Sequence, residues 1–168
     1  MARRRSPLLA ELGAHTTWSD GELTLAALVD LYGAARFDVL AITDHVVATA
    51  RHEYVRAETF AAYLDEIDAD AGAAARVPAC FACEPEWAAE VVDRFELVNR
   101  DEVFGWVADR RLPAVASGDF HRPEHLATRK SLLSCRQHEE EVVGELRSRR
   151  PCAPTRVDSE GRPARRAA

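Results

Sequence analysis

Three short segments that combine aspartate with histidine constrain this chain more than any other feature. They lie at residues 13–20, 43–45 and 117–121, and each closes or follows an apolar run that is typical of a buried strand. The carboxyl ends of strands in α/β proteins meet at one rim, where active sites form. Imidazole nitrogens and carboxylate oxygens suit zinc, manganese or iron as ligands. The sequence therefore predicts a metal site built from distant parts of the chain.

Strand-like and helix-like patterns alternate along the chain, which indicates an α/β fold. The clearest strand is the apolar run from Phe37 to Thr43, and the longest helical pattern covers residues 53–75. Repeated strand–helix units favour a parallel sheet with right-handed crossovers, either open or curled into a barrel. Further strands are expected at residues 8–12, 95–98, 112–116, 131–134 and 152–157, and further helices at residues 19–32, 101–110 and 139–149.

Length and composition fit one globular domain rather than a membrane protein or a protein that wraps nucleic acid. The chain has 168 residues, of which 47% are hydrophobic and 30% charged, and its formal net charge is -6. Its apolar runs are too short to span a bilayer, and Glu11 and His15 interrupt the run near the start. We therefore expect no signal peptide and a cytoplasmic location. The domain is expected to cover residues 7–158, with residues 159–168 as a disordered basic tail.

The spacing within each segment indicates which side chains can share one cation. Positions i and i+2 of extended backbone point the same way, so Asp119 and His121 face one target. Asp44 and His45 are adjacent, so one is expected to ligate while the other supports it from behind. Each residue alone also fits an ordinary structural role, such as that of a helix N-terminal acid for Asp20. Together they favour a metal site.

In these segments the sequence resembles the polymerase and histidinol phosphatase (PHP) superfamily of metal-dependent phosphoesterases. The family's His-x-His motif followed by Ser-Asp-Gly is similar to residues 13–21, its Thr-Asp-His motif to residues 43–45, and its Gly-Asp-x-His motif to residues 118–121. The resemblance covers roughly residues 8–48 and 95–158. It implies a distorted β/α barrel with a cluster of divalent ions (manganese, zinc or iron) at its C-terminal rim.

The resemblance also implies roles for individual residues. Asp44 and Asp119 are expected to take part in catalysis, Asp44 by orienting a ligand. Arg122 and His125 are candidates to contact a substrate phosphate, although solvent exposure without a role fits both equally well. The implied metal ligands are His15, Asp20, His45, Asp119 and His121.

Two departures from the family pattern stand out. Gly13 replaces the first histidine, and residues 73–94 contain no histidine, so the middle β/α units are expected to be shortened or missing and the barrel incomplete. Glu84 or Glu86 could supply a carboxylate from this region. We expect one to three ions, fewer than the full cluster, with an intact three-ligand site made by Asp20, His45 and His121.

The function expected is hydrolysis of a phosphate ester by metal-bound hydroxide, with impaired activity. The substrate would be a phosphorylated small molecule or a nucleic-acid end. The alternative is a non-catalytic PHP remnant that acts as a binding or regulatory module, because ligands are missing. An incomplete barrel would expose apolar sheet edges, which could favour a homodimer.

Overall fold

The computed structural model of the chain describes residues 6–46, 53–69, 74–75 and 93–164. Strands and helices alternate through most of these residues, which confirms the α/β class predicted from the sequence. The strands are β1 (Leu8–Ala14), β2 (Val39–Ile42), β3 (Ala74–Ala75), β4 (Phe95–Asn99), β5 (Glu102–Val103), β6 (Ala114–Ser117), β7 (Arg129–Leu133) and β8 (Ala153–Arg156). The α-helices are α1 (Leu25–Ala34), α2 (Phe60–Ala69), α3 (Gly105–Asp109) and α4 (Glu139–Arg147).

The strands form two mixed sheets. The 5-stranded sheet has the order β3-β2-β1-β7-β8, in which β1, β2 and β3 are parallel and β7 is antiparallel to both β1 and β8. The 3-stranded sheet has the order β5-β4-β6, with β4 parallel to β6 and antiparallel to β5. In the part of the chain that the structure describes, these strands do not form a closed barrel, and the sequence predicted an incomplete one. The parallel pairs β1–β2, β2–β3 and β4–β6 keep a helix between their strands, as the alternating pattern suggested, whereas β5, β7 and β8 pair antiparallel.

Hydrogen bonds join the two sheets where β1, β2 and β6 end. After β6, Phe120 forms a parallel bridge with Ala14. The N–H of Phe120 donates to the carbonyl of Gly13 at 2.7 Å, and the N–H of His15 donates to the carbonyl of Phe120 at 2.8 Å. On the other side, the N–H of Thr43 donates to the carbonyl of Ala14 at 2.8 Å. The three aspartate–histidine segments therefore reach the same rim.

Helix α1 covers this junction with one apolar face. Leu25, Leu28 and Tyr32 are buried, and their helical spacing places them on one side of the helix, against a core that includes Ile42 and Phe120. The remaining core clusters lie under α3 and α4.

Helix α1 begins later than the sequence predicts. Its N-cap is Thr24, whose hydroxyl accepts the N–H of Ala27 at 3.3 Å, whereas Ser19, at the predicted helix start, donates its hydroxyl to Asp44 at 2.5 Å. The Ser19 hydroxyl is therefore bound to a buried carboxylate and does not cap a helix.

Three other segments differ from the predicted elements. The helix expected over residues 53–75 ends at Ala69, and β3 pairs with β2 instead. The helix expected over residues 101–110 is replaced in its first turn by β5, which pairs with β4. Residues 158–164 form a hydrogen-bonded turn with a bridge between Val157 and Pro163, where the sequence suggests a tail, and residues 165–168 lie outside the described residues.

No helix in the described ranges has the length and apolarity needed to cross a membrane.

A buried ion pair links β1 to β7. Glu11 and Lys130 are fully buried, and the ammonium donates to the Glu11 carboxylate. Glu11 also accepts the N–H of Gly118 at 2.7 Å and the hydroxyl of Tyr32 at 2.8 Å. Burial, together with the charge and hydrogen bond of Glu11, raises the pKa of Tyr32 well above its usual value, so the hydroxyl stays a donor. The same carboxylate thus holds β1, β7, α1 and the end of β6 together.

Glu96 on β4 is another acidic residue of the interior, and its side chain is partly buried. Burial raises the pKa of Glu96, and the charges of Asp119 and Glu11 raise it further, which outweighs the hydrogen bonds from Asn99 and Ser117. Because its pKa is higher in the folded chain, the folded state holds this proton more tightly than the unfolded state does. Stability from this group is therefore present at low pH and falls as pH rises from the unfolded pKa to the folded one.

The buried pair predicts an asymmetric response to substitution. Lys130→Met leaves the Glu11 charge buried without its cation and should lower the free energy of unfolding by about 3–5 kcal/mol. Glu11→Gln combined with Lys130→Met should recover part of that loss, because the neutral amide oxygen still accepts from Gly118. Urea unfolding measures both. Arg136→Met in the exposed Arg136–Glu141 pair is the control and should change stability by less than about 1 kcal/mol. A double variant less stable than Lys130→Met alone would contradict this account.

Removing the Glu96 charge should stabilise the protein at neutral pH. Glu96→Gln keeps an oxygen that can accept from Asn99, so its free energy of unfolding should exceed that of the unsubstituted protein at pH 7. The difference should vanish below about pH 4, where an ordinary glutamate is protonated. Urea unfolding at both pH values tests this, with the exposed Glu102→Gln on β5 as the control. Equal or lower stability of Glu96→Gln at pH 7 would refute the assigned sign.

Candidate metal centre

Four side chains from the three aspartate–histidine segments converge on one point at the rim. His15, Asp20, His45 and His121 each offer a ligand atom, and these atoms all lie within 4.8 Å of one another. The Asp20 Oδ1 atom lies 3.4 Å from His15 Nδ1 and 3.2 Å from His121 Nε2, and its Oδ2 atom lies 3.5 Å from His45 Nε2. We call these four residues the histidine–aspartate cluster. The strand-end pattern predicted that these residues would meet.

The spacing within the cluster fits a single cation. Donor atoms at ~2.1 Å from a tetrahedral ion are about 3.4 Å apart. The three imidazole–carboxylate distances of 3.4, 3.2 and 3.5 Å match that separation. The expected three-ligand site contains Asp20, His45 and His121, and the structure places His15 within the same group.

His15 carries an independent sign of a ligand. Its side chain is 3% exposed, and its Nδ1 atom is the only buried side-chain nitrogen or oxygen among the described residues without a hydrogen-bond partner. Leaving a buried polar atom unpaired costs free energy, so native proteins rarely do so. Coordination through Nδ1 would satisfy this atom, and the other three cluster residues are partly exposed on the open side.

Asp44 builds the loop that carries His15 and Asp20. Its carboxylate accepts the N–H of Thr16 at 2.7 Å, the hydroxyl of Thr16 at 2.8 Å and the hydroxyl of Ser19 at 2.5 Å. These bonds are buried and connect the end of β2 to the loop after β1. Asp44 therefore organises the loop and lies outside the cluster.

Tyr63 on α2 also faces Asp44. Burial raises the pKa of Tyr63, and the charge and hydrogen bond of Asp44 raise it further. The hydroxyl therefore stays protonated and adds one more donor to this carboxylate.

Gly21 allows the loop to fold back onto its own start. A Cβ at this position would overlap the carbonyl of His15 and lie 2.8 Å from the nitrogen of Thr16. Both are backbone atoms that cannot move aside cheaply. The glycine of the Ser-Asp-Gly motif thus lets Asp20 stand next to the His15 ring.

Gly13, where the family pattern has a histidine, faces Ser117 on β6. A Cβ here would overlap the Ser117 hydroxyl and come within 3.2 Å of the Ser117 Cβ. The strands are therefore too close for a larger residue at this position unless Ser117 moves.

Asp119 lies beside the cluster, although the sequence predicted it as a ligand. Its Oδ1 atom is 3.4 Å from His15 Nε2 and 3.8 Å from His121 Nδ1, and its Oδ2 atom accepts from Arg100 at 2.5 Å. Burial alone would raise the pKa of Asp119, but the hydrogen bond from His15 and the charges of His121 and Arg100 outweigh it and hold the pKa far below its usual value. The carboxylate is therefore ionised and already neutralised by a guanidinium.

Arg100, Arg122 and His125 gather next to Asp119. Arg122 Nε donates to His125 Nε2 at 3.1 Å, Arg100 lies 3.5 Å from the same nitrogen, and the His121 N–H donates to His125 Nδ1 at 3.1 Å. Burial lowers the pKa of His125, and the Arg100, Arg122 and His121 charges lower it further. Both predicted phosphate contacts thus lie at the rim.

Sequence reasoning missed Arg100. The residue directly follows β4, so the rule that functional side chains follow strand ends applies to it, but the sequence pattern places it just before a predicted helix at residues 101–110. Glu84 and Glu86, the other candidate carboxylates, lie outside the described residues.

Comparisons with known proteins give a likeness of fold. No family model matches the chain, and no curated protein matches it significantly. A crystal structure of a two-domain protein from Bacteroides vulgatus, containing a predicted PHP-like metal-dependent phosphoesterase, is similar with a TM-score of 0.59 at 13% identity. The match covers 92% of this chain and 69% of that one. The chain therefore shares the fold of a structure that contains a PHP-like unit.

Proposed function

We propose that the chain is a metal-dependent phosphoesterase of the PHP type, which holds one divalent ion in the histidine–aspartate cluster. The observation that carries this proposal is the convergence of four ligand side chains, one of which is the buried His15 with an Nδ1 atom that has no hydrogen-bond partner. The similar fold of a structure containing a PHP-like phosphoesterase supports it. The substrate would be a phosphorylated small molecule or a nucleic-acid end.

The donor set suits zinc, manganese or iron. Three imidazoles and one carboxylate are borderline ligands that these ions accept, whereas magnesium and calcium favour oxygen. When bound, such an ion would supply Lewis acidity and activate water near neutral pH. His15, Asp20, His45 and His121 would hold it.

Asp119 and Asp44 would act by positioning these ligands. A metal-bound histidine commonly donates its other ring N–H to a carboxylate, which fixes the ring and its tautomer. The His15 ring has this arrangement, with Nδ1 in the cluster and Nε2 at 3.4 Å from Asp119. Asp44 would fix the loop between His15 and Asp20 through Thr16 and Ser19.

A non-catalytic metal-binding remnant is the second candidate function. Two observations favour it: Ser117 fills the space in front of Gly13, and Arg100 already neutralises Asp119. The centre therefore has ligands for fewer ions than the family pattern implies. Such a module would bind metal without turning over phosphate esters.

Metal content and turnover together decide between the two functions. Protein dialysed against Zn²⁺ or Mn²⁺ should retain about one ion per chain by elemental analysis, and should then hydrolyse p-nitrophenyl phosphate. His121→Ala removes a ligand and should weaken metal affinity by at least about 10-fold. The exposed His138→Ala is the matched control and should retain the ion.

The outcomes are distinct. Bound metal without turnover in the unsubstituted protein would favour the remnant. Unchanged metal affinity in His121→Ala, or no retained metal in any variant, would overturn the proposed centre itself.

A further inference from the structure

We infer that Arg100 is a substrate-contacting residue, and that with Arg122 and His125 it forms an anion subsite specific for the terminal phosphate of a phosphomonoester. The subsite lies beside the histidine–aspartate cluster, so its use in catalysis rests on the proposed function. Its capacity to bind phosphate does not, because the three side chains need no metal ion to hold their positions.

The backbone holds Arg100 in a conformation that arginine rarely adopts. Arg100 lies in the tight turn between β4 and β5, where Asn99 pairs with Glu102, and its φ is 51°. This left-handed conformation favours glycine, because a Cβ is strained there. Asp119, its ion-pair partner, has a φ of 44°. Two residues in left-handed conformations are thus joined by one ion pair, which holds the Arg100 guanidinium beside Asp119 at the rim.

The donors around His125 outnumber its acceptors. A histidine ring that carries a proton has at most one acceptor nitrogen. Yet the His121 N–H faces Nδ1 at 3.1 Å, while Arg122 Nε and the Arg100 guanidinium face Nε2 at 3.1 and 3.5 Å. In either tautomer at least one N–H group has no acceptor on this ring. An anion with several oxygen atoms would satisfy these converging donors.

Charge and shape select a terminal phosphate. Asp119 balances only one of the two guanidinium groups, so the subsite keeps excess positive charge. Guanidinium groups bind phosphate through paired N–H···O bonds, and a point charge such as lysine does so less specifically. A phosphomonoester presents more free oxygens and more negative charge than a diester, in which two oxygens are esterified. The subsite therefore favours the monoester.

Arg100→Gly removes the guanidinium at a position whose backbone conformation glycine adopts readily. Glycine relieves the left-handed strain but leaves the Asp119 carboxylate without its cation, so thermal unfolding of the variant is measured beside phosphate binding to show that the fold is kept. Its affinity for inorganic phosphate, measured by titration calorimetry with metal-free and with Zn²⁺-loaded protein, should fall about 10- to 100-fold. The matched control is Arg111→Gly, which removes an exposed arginine with a φ of 53° after α3 and should leave phosphate affinity unchanged.

Turnover separates this inference from the proposed function. In Arg100→Gly, kcat/KM for p-nitrophenyl phosphate should fall about 10- to 100-fold, and that for bis(p-nitrophenyl) phosphate should fall less. Equal phosphate affinity in the Arg100→Gly and Arg111→Gly variants, no phosphate binding to the unsubstituted protein, or an equal loss for both esters would overturn the subsite. Arg100-dependent phosphate binding in a protein without turnover would support the subsite and contradict the enzyme. Full turnover in Arg100→Gly would support the enzyme and contradict the subsite.

Discussion

The buried pair of Glu11 and Lys130 is the constraint on which the rest of the structure depends. Burying two charges costs more than their attraction returns unless the remaining lone pairs and protons find partners. Here the Glu11 carboxylate also accepts from Tyr32 and Gly118, and the ammonium also donates to the carbonyl of His125 at 3.2 Å. Because Gly118 lies in the last aspartate–histidine segment and Glu11 lies on the strand that leads into the first, the Glu11 carboxylate fixes the relative positions of both segments.

Each acid near the rim is distinguished by its partner. Glu11 faces an ammonium, Asp44 faces hydroxyl and amide donors, and Asp119 faces a guanidinium. Asp20 faces three imidazoles at 3.2–3.5 Å. A carboxylate surrounded by imidazole nitrogens is suited to a metal ion, whereas Glu11, Asp44 and Asp119 are held by ammonium, hydroxyl, amide and guanidinium donors. The fold thus assigns different roles to acids that look alike in the sequence.

The sequence was sufficient to predict features that depend on short segments of the chain. Strand ends followed by aspartate and histidine predicted that His15, Asp20, His45 and His121 would meet, because parallel strands β1 and β2 place their carboxyl ends together. It was insufficient where distant contacts decide. The antiparallel pairing of β1 with β7 depends on a buried ion pair, and the position of Arg100 depends on a strained turn that reads as a helix start. Neither the ion pair nor the turn produces a periodic pattern of apolar residues in the sequence.

The loss of a side chain at Gly13 and the presence of Arg100 have related electrostatic consequences. Ser117 occupies the space in front of Gly13, and the described residues bring together one group of metal ligands, the histidine–aspartate cluster. A divalent ion there would offset the charges of Asp20 and Asp119, which would leave the guanidinium groups of Arg100 and Arg122 as excess positive charge facing solvent. Positive charge in a partly buried site attracts phosphate more strongly than the same charge in water. The centre could therefore attract a phosphate ester with one metal ion, because fixed guanidinium groups provide charge that further ions would otherwise supply.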